Sequence, residues 1–210
     1  MGWIDEVYDK EFFLKLLDFS RPKDDPLPRA PWSFARASSF RKIFQNLINL
    51  EKDYYHIVET GSIRGWDQWG DGQSTRLFDS FVNYFDGCVT TIDINIKYTE
   101  LTHNNTSDKV QAINGNSLEI LPTIKNCADL LYLDSFDNGP GDELNSSLHH
   151  LYELICSKNI IDNNTIIAVD DTDEDGEGKG KYIVEFVQKA NFKILVHEGR
   201  QFAFKMEKNK

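Results

Sequence analysis

Five short runs, HIVET, CVTTIDI, KVQAI, ADLLYLD and TIIAVDD, punctuate the chain from residue 56 onward, and each is apolar on both faces that a strand would present. Strands of that kind belong inside a parallel sheet covered by helices. The intervals agree, since STRLFDSFVNYF, SLEILPTI, LNSSLHHLYELICS and KYIVEFVQKA carry apolar residues at helical spacing, with Ser74 as an expected N-cap. The rhythm then changes. FKILVHEGRQFAFKME is two strands joined through Glu198-Gly199-Arg200, and so tight a turn makes them antiparallel. The expected fold is α/β: a mostly parallel seven-stranded sheet with a C-terminal antiparallel hairpin and helices on both faces.

With 210 residues, 40% of them hydrophobic, the chain can bury one full core. Ahead of the sheet, Phe12, Phe13, Leu16 and Leu17, and then Phe40, Ile43, Phe44, Leu47 and Ile48, recur at helical spacing around the proline-rich RPKDDPLPRAPW. Residues 1–52 are therefore expected to form a helical leader or lid, and residues 53–210 the ligand-binding domain. A net charge of −11 repels phosphate backbones and anionic lipids, which argues against nucleic-acid and membrane partners. No run reaches the roughly 18 apolar residues of a membrane helix, and the acidic start is unlike a signal peptide, so a cytoplasmic protein is expected. Homo-oligomer formation stays open. Cys88, Cys127 and Cys156 lack the spacing of a zinc site or disulfide framework and read as reduced core thiols.

In open parallel sheets, ligands bind beyond the carboxyl ends of the strands. Here those ends carry Glu59-Thr60-Gly61, Asp93, Asn114-Gly115-Asn116-Ser117, Asp134 and Asp170-Asp171. Each alone reads equally well as a strand terminator or helix cap; together they line one rim. Gly61 allows a sharp turn and close approach to the backbone. Neither G-x-G-x-x-G nor the phosphate-cradling G-x-x-x-x-G-K-[ST] occurs, so a nicotinamide dinucleotide is disfavoured. A carboxylate at Asp93 can accept both hydroxyls of a ribose, which favours a nucleoside without a pyrophosphate.

In their order, VETGS, TTIDIN, INGNSLEILP, ADLLYLDSFD and the closing hairpin resemble the class I S-adenosylmethionine-dependent methyltransferases over about residues 55–207. The resemblance implies a Rossmann-like fold with S-adenosylmethionine as cofactor. It places Glu59, Gly61 and Ser62 at the methionine end, Asp93 on the ribose, Asn116 or Ser117 at the adenine edge, and Asp134 at the fourth-strand motif. A helix N-cap on SLEILP is the alternative for Asn116 and Ser117, and the two roles are compatible. The insertion IRGWDQWGDGQ, with Trp66 and Trp69, departs from the family pattern: it closes over a ligand or forms a surface loop.

YLDSFD and VDDT bring Asp134, Asp137, Asp170 and Asp171 toward one point, because neighbouring strands lie about 5 Å apart. Such carboxylates repel unless a cation sits among them, and a hard divalent ion such as Mg2+ would serve. The set resembles metal-dependent O-methyltransferases, of the catechol type and more closely those acting on sugars of macrolides and aminocoumarins, with LDGD on the fourth strand and DDY on the fifth. That resemblance implies Asp134, Asp170 and Asp171 as metal ligands, Asp137 as general base, and a hydroxylated small molecule, a sugar or a phenolic, as acceptor. Here the two fourth-strand acids are one residue further apart, and the catechol family's lysine after the fourth-strand acid is absent. The alternatives are acids that only cap strands, and a binding protein on the same fold without transfer activity. DTDEDG matches the start of an EF-hand loop, but its twelfth position is Tyr182 rather than glutamate. DEDGEGKGK reads more simply as a solvated loop from which Lys179 or Lys181 reaches a substrate. His149 and His150 fall on a predicted helix, at least one of them facing solvent.

Overall fold

A computed structural model describes residues 33–65, 73–137, 139–173 and 175–207. The strands are β1 (Tyr55–Thr60), β2 (Gly87–Asp93), β3 (Val110–Asn114), β4 (Leu130–Leu133), β5 (Ile166–Val169), β6 (Phe192–Glu198) and β7 (Gln201–Met206). They form one sheet in the order β3-β2-β1-β4-β5-β7-β6. The first five pair in parallel, and β7 runs antiparallel between β5 and β6. The expected architecture is the one found. The chain order reverses between β1 and β4, which opens a crevice beyond their carboxyl ends.

Six helices flank this sheet among the described residues: α1 (Ser33–Ile48), α2 (Ser74–Phe85), α3 (Ile96–Asn105), α4 (Ser117–Ile120), α5 (Glu143–Cys156) and α6 (Lys181–Lys189). Because side chains alternate along a strand, β1, β4 and β5 feed two cores. Ile57, Leu130, Tyr132 and Ile166 pack with α1 and α2 on one face. Val58, Leu131, Leu133, Ile167 and Val169 pack with α5 and α6 on the other.

The first core is aromatic. Phe40 of α1 stacks on Tyr132 with ring centroids 5.7 Å apart, and Phe44 stacks on Phe81 of α2 at 5.1 Å. Phe40, Ile43, Phe44 and Leu47 are all buried, so α1 belongs to the core of the sheet domain and a boundary at residue 52 does not set it apart. The expected helix at Phe12–Leu17, the proline-rich link and both tryptophans of the insertion lie outside the described residues.

Three local expectations change. Between β2 and β3 the sequence predicts no helix, yet adjacent parallel strands require a crossover, and α3 supplies it. Its buried residues are Thr99 and Thr102, so it lacks the apolar stripe that reveals a helix. Ser74 is the first residue of α2 rather than its cap, and its hydroxyl turns inward to Glu59. The cysteines are free, as expected, but Cys127 is exposed and the others half-buried, so none is a core thiol. No described helix is long and apolar enough to cross a membrane.

Candidate functional site

Beyond the ends of β1 to β4 lies a cavity of about 450 Å3 whose lining includes Gly61, Asp93, Asn116, Ser117 and Asp137. The size suits a small molecule. Asp93 forms part of its wall. Its Oδ2 accepts from the backbone N–H and the hydroxyl of Ser62, both at 3.1 Å, and its Oδ1 accepts from the Asn95 N–H at 2.8 Å. A carboxylate offers about four lone pairs. With two donors on Oδ2 and one on Oδ1, one lone pair remains on Oδ1 to accept from a ligand hydroxyl. Ser62 itself is buried and absent from the lining; it orients Asp93 instead of touching a ligand.

Gly61 sits at φ +88°, and a Cβ there would lie 2.5 Å from the Asp134 carbonyl oxygen. The glycine is thus demanded by the close approach of the β1 and β4 ends. Glu59 also departs from its expected place. It is 1% exposed, with its two oxygens 2.5 and 2.7 Å from the hydroxyls of Ser74 and Thr75 under the start of α2. Burial pushes its pKa up to about 8 against these hydrogen bonds, so at neutral pH it is a protonated structural group. Asn116 takes the cap role, its Oδ1 accepting from the Leu118 N–H at 3.1 Å at the start of α4, and the residue also lines the cavity with Ser117.

Several lining residues are not singled out as ligand-binding from the sequence: Arg64, Tyr98, Phe136, although it lies within YLDSFD, and His149. His149 Nε2 lies 3.3 Å from both Ser117 Oγ and Glu153 Oε1. Glu153 is fully buried and also accepts from Ser135 Oγ at 2.7 Å and Thr60 Oγ1 at 3.1 Å. Burial raises its pKa, but His149 and His150 lower it further, so it stays ionised and ties α5 to three strand ends. His150 is buried with Nδ1 2.7 Å from the Ser146 carbonyl, and desolvation lowers its pKa. His149 keeps 20% of its side chain exposed at the cavity, so one of the two histidines meets solvent as expected, and its i, i+4 spacing to Glu153 is the sequence signal for their pairing.

Asp137 reaches the cavity but is poorly suited to be a general base. Its two oxygens accept from the Arg64 guanidinium at 2.7 and 2.8 Å, a bidentate pair. Burial raises its pKa and Arg64 lowers it, with a downward net result. A base needs the opposite shift.

Asp134, Asp170 and Asp171 do converge, at the ends of β4 and β5, but the cations among them belong to the chain. Lys179 Nζ lies 2.6 Å from Asp134 Oδ1 and 3.4 Å from Asp171 Oδ2. Arg36 of α1 holds Asp170 at 3.0 Å and Asp171 at 2.6 Å, and Arg200 holds Asp171 at 3.0 Å. Burial, helped by Asp134, pushes Asp170 up to about 7, whereas Lys179, Arg36 and Arg200 outweigh burial at Asp171 and pull it down. Among the described residues, no three acids, histidines or cysteines are grouped as a metal ion's donors. The expected metal ligands therefore do not fit a divalent ion: each of the three acids already faces an ammonium or a guanidinium. Asp171, the first residue of DTDEDG, is committed to these ion pairs and not free for calcium, and Lys181, which opens α6, pairs with Glu177 at 2.8 Å.

The fold can be compared with solved structures. A MycE methyltransferase from the mycinamycin biosynthetic pathway, in complex with Mg, SAH and mycinamycin VI, superposes with a TM-score of 0.56 at 16% identity, over 81% of this chain and 48% of that one. N-methyltransferase NodS from Bradyrhizobium japonicum WM9, in complex with S-adenosyl-l-homocysteine, gives 0.55 at 8% identity over 94% and 98%. The Methanococcus jannaschii fibrillarin pre-rRNA processing protein gives 0.51 at 15% over 75% and 69%. The fold is that of S-adenosylmethionine-dependent methyltransferases. This chain spans about half the length of the MycE structures. No family model and no curated protein sequence matches it. At these identities the fold is shared while the acceptor is not specified, as NodS and MycE illustrate.

Proposed function

We propose that the protein is an S-adenosylmethionine-dependent methyltransferase that methylates a hydroxyl of a small molecule, a sugar or a phenolic. The observation that carries this reading is Asp93, a buried carboxylate with a lone pair left for a ligand in the wall of a cavity at the sheet's switch point, in a fold shared with enzymes solved with adenosylhomocysteine. The residues fit the cofactor: Asp93 for a ribose hydroxyl, Asn116 and Ser117 for the adenine edge, and Ile92, Tyr98 and Phe136 as apolar walls. When bound, the cofactor supplies an electrophilic methyl group.

The chain then has to position an acceptor oxygen in line with that methyl and take the hydroxyl proton. Asp137 is held by Arg64. Asp134, at the end of the same strand and directly before cavity-lining Ser135, gives its cation one oxygen where Asp137 gives two: Lys179 takes Oδ1 at 2.6 Å, the side chain keeps 19% exposure, and Oδ2 is left for a proton. It is the carboxylate we assign as proton acceptor. With the cofactor bound, the sulfonium would give its methyl to the acceptor oxygen and remain as the thioether, while Asp134 would take the hydroxyl proton. No step passes through a divalent ion. A net charge of −11 favours a small acceptor over nucleic acid.

The test is transfer of isotope-labelled methyl from S-adenosylmethionine to panels of sugars, phenols and amines. Label on oxygen, lost in Asp134→Asn while adenosylhomocysteine binding persists, supports the reading. Label on nitrogen overturns the hydroxyl acceptor, and cofactor binding without turnover on any panel favours a binding protein.

A further inference from the structure

We propose that Lys179 is a resident cation: its ammonium stands between Asp134 and Asp171 in the place that the sequence resemblance gives to magnesium, and this centre takes no divalent ion. The functional meaning of the inference rests on the methyltransferase reading, but its geometry does not. Lys179 is 1% exposed and its Nζ meets two carboxylates, so the side chain is an interior group with fixed partners. A lysine is rarely buried so completely unless it is paired in this way.

The backbone around Lys179 is built to deliver it. After β5 the chain leaves through Asp171, runs out, and returns so that Thr172 bridges Gly178 and the Lys179 N–H donates to the Asp171 carbonyl at 2.9 Å. The return has no room for side chains. A Cβ at Gly178, which sits at φ +83°, would be 2.1 Å from the Asp171 carbonyl oxygen, and one at Gly180 would be 2.1 Å from Thr172 Oγ1. Glycines on both sides of Lys179 therefore let the loop lie flat against the strand end and drop the ammonium among the acids.

Arg36 and Arg200 complete the compensation from α1 and from the β6–β7 turn, so Asp134, Asp170 and Asp171 face three positive side chains. A divalent ion entering this cluster would meet strong like-charge repulsion and would have to displace at least Lys179 to find oxygen donors. Lys179 also fixes Asp134 at the edge of the cavity, which makes it a positioning residue for the proton acceptor.

Mn2+ binding to the full chain, followed by electron paramagnetic resonance, tests this without any use of cofactor or acceptor. Wild type is expected to show no Mn2+ site that Asp134→Asn removes. Lys179→Met is expected to gain Mn2+ affinity by at least about tenfold, because an ammonium has left a cluster of oxygen donors, while Lys179→Arg stays like wild type. Stoichiometric Mn2+ binding to wild type that Asp134→Asn abolishes would overturn the proposal. So would a folded Lys179→Met with no gain. If Lys179→Met fails to fold, the comparison of wild type with Asp134→Asn still decides. A missing methyltransferase activity would leave this result untouched, and a Mn2+ site in wild type would leave the cofactor cleft untouched.

Discussion

A carboxyl with a pKa near 8 is a neutral hydrogen-bonding group at pH 7, and Glu59 is such a group. Its folded pKa lies above the ordinary 4.5, so the folded state holds the proton more tightly than the unfolded chain does. The resulting stabilisation is complete below about pH 4.5 and is lost as pH rises through about 8. Glu59→Gln should flatten the decline of melting temperature across that window, leaving the smaller decline due to Asp170, whose pKa is raised to about 7. An unchanged decline would show that Glu59 is ionised in the fold. For Asp137 the prediction concerns rate: because Arg64 pins it as a carboxylate, Asp137→Asn should leave the shape of the pH–rate profile unmoved, and loss of one limb would restore it as the base. The sequence places Asp93 at the end of the second strand, and the structure finds it there in the cavity lining, because a strand's end fixes where its last residue emerges. It misplaced Glu59 and Ser62, because a motif gives a residue's position along the strand but not the hydroxyls that later capture its side chain. Arg64 and His149 carry no motif and reach the cavity only through tertiary packing.

Elements were more legible than side chains wherever an apolar pattern survives. β1 to β5, the hairpin, α2, α5 and α6 bury residues at strand or helix spacing, and their positions follow from the sequence. α3 does not, since it buries threonines, and only the parallel pairing of β2 with β3 requires it. The loop after β5 is a similar case, in which DEDGEGKGK looks solvated yet presents a buried lysine. Gly178→Ala forces a side chain into a left-handed position against the Asp171 carbonyl, and the strain should cost about 1–3 kcal/mol of stability. Urea unfolding measures it. A neutral Gly178→Ala would mean that the loop can lie elsewhere, and Lys179 with it.

At the scale of the whole molecule, α1 couples the edge of the acid cluster to the centre of the aromatic core. Arg36 binds Asp170 and Asp171, while Phe40 and Phe44, one and two turns on, pack against Tyr132, Phe78 and Phe81. Phe44→Ala should therefore lower the stability of the entire domain by about 3–5 kcal/mol in one cooperative transition. A separate early transition would instead mark α1 as an independent leader. Among the described residues, a crevice lies at the switch point of the seven-stranded sheet, with Asp93 in its wall and a charge-compensated acid cluster beside it. Calorimetric titration of wild type and Asp93→Ala with adenosylhomocysteine tests that description most directly. Wild type should bind, and Asp93→Ala should bind about 10–100-fold more weakly, the cost of losing a charge-assisted hydrogen bond to the ribose. Absence of binding to wild type, or equal binding to both, would contradict the assignment of the crevice to S-adenosylmethionine.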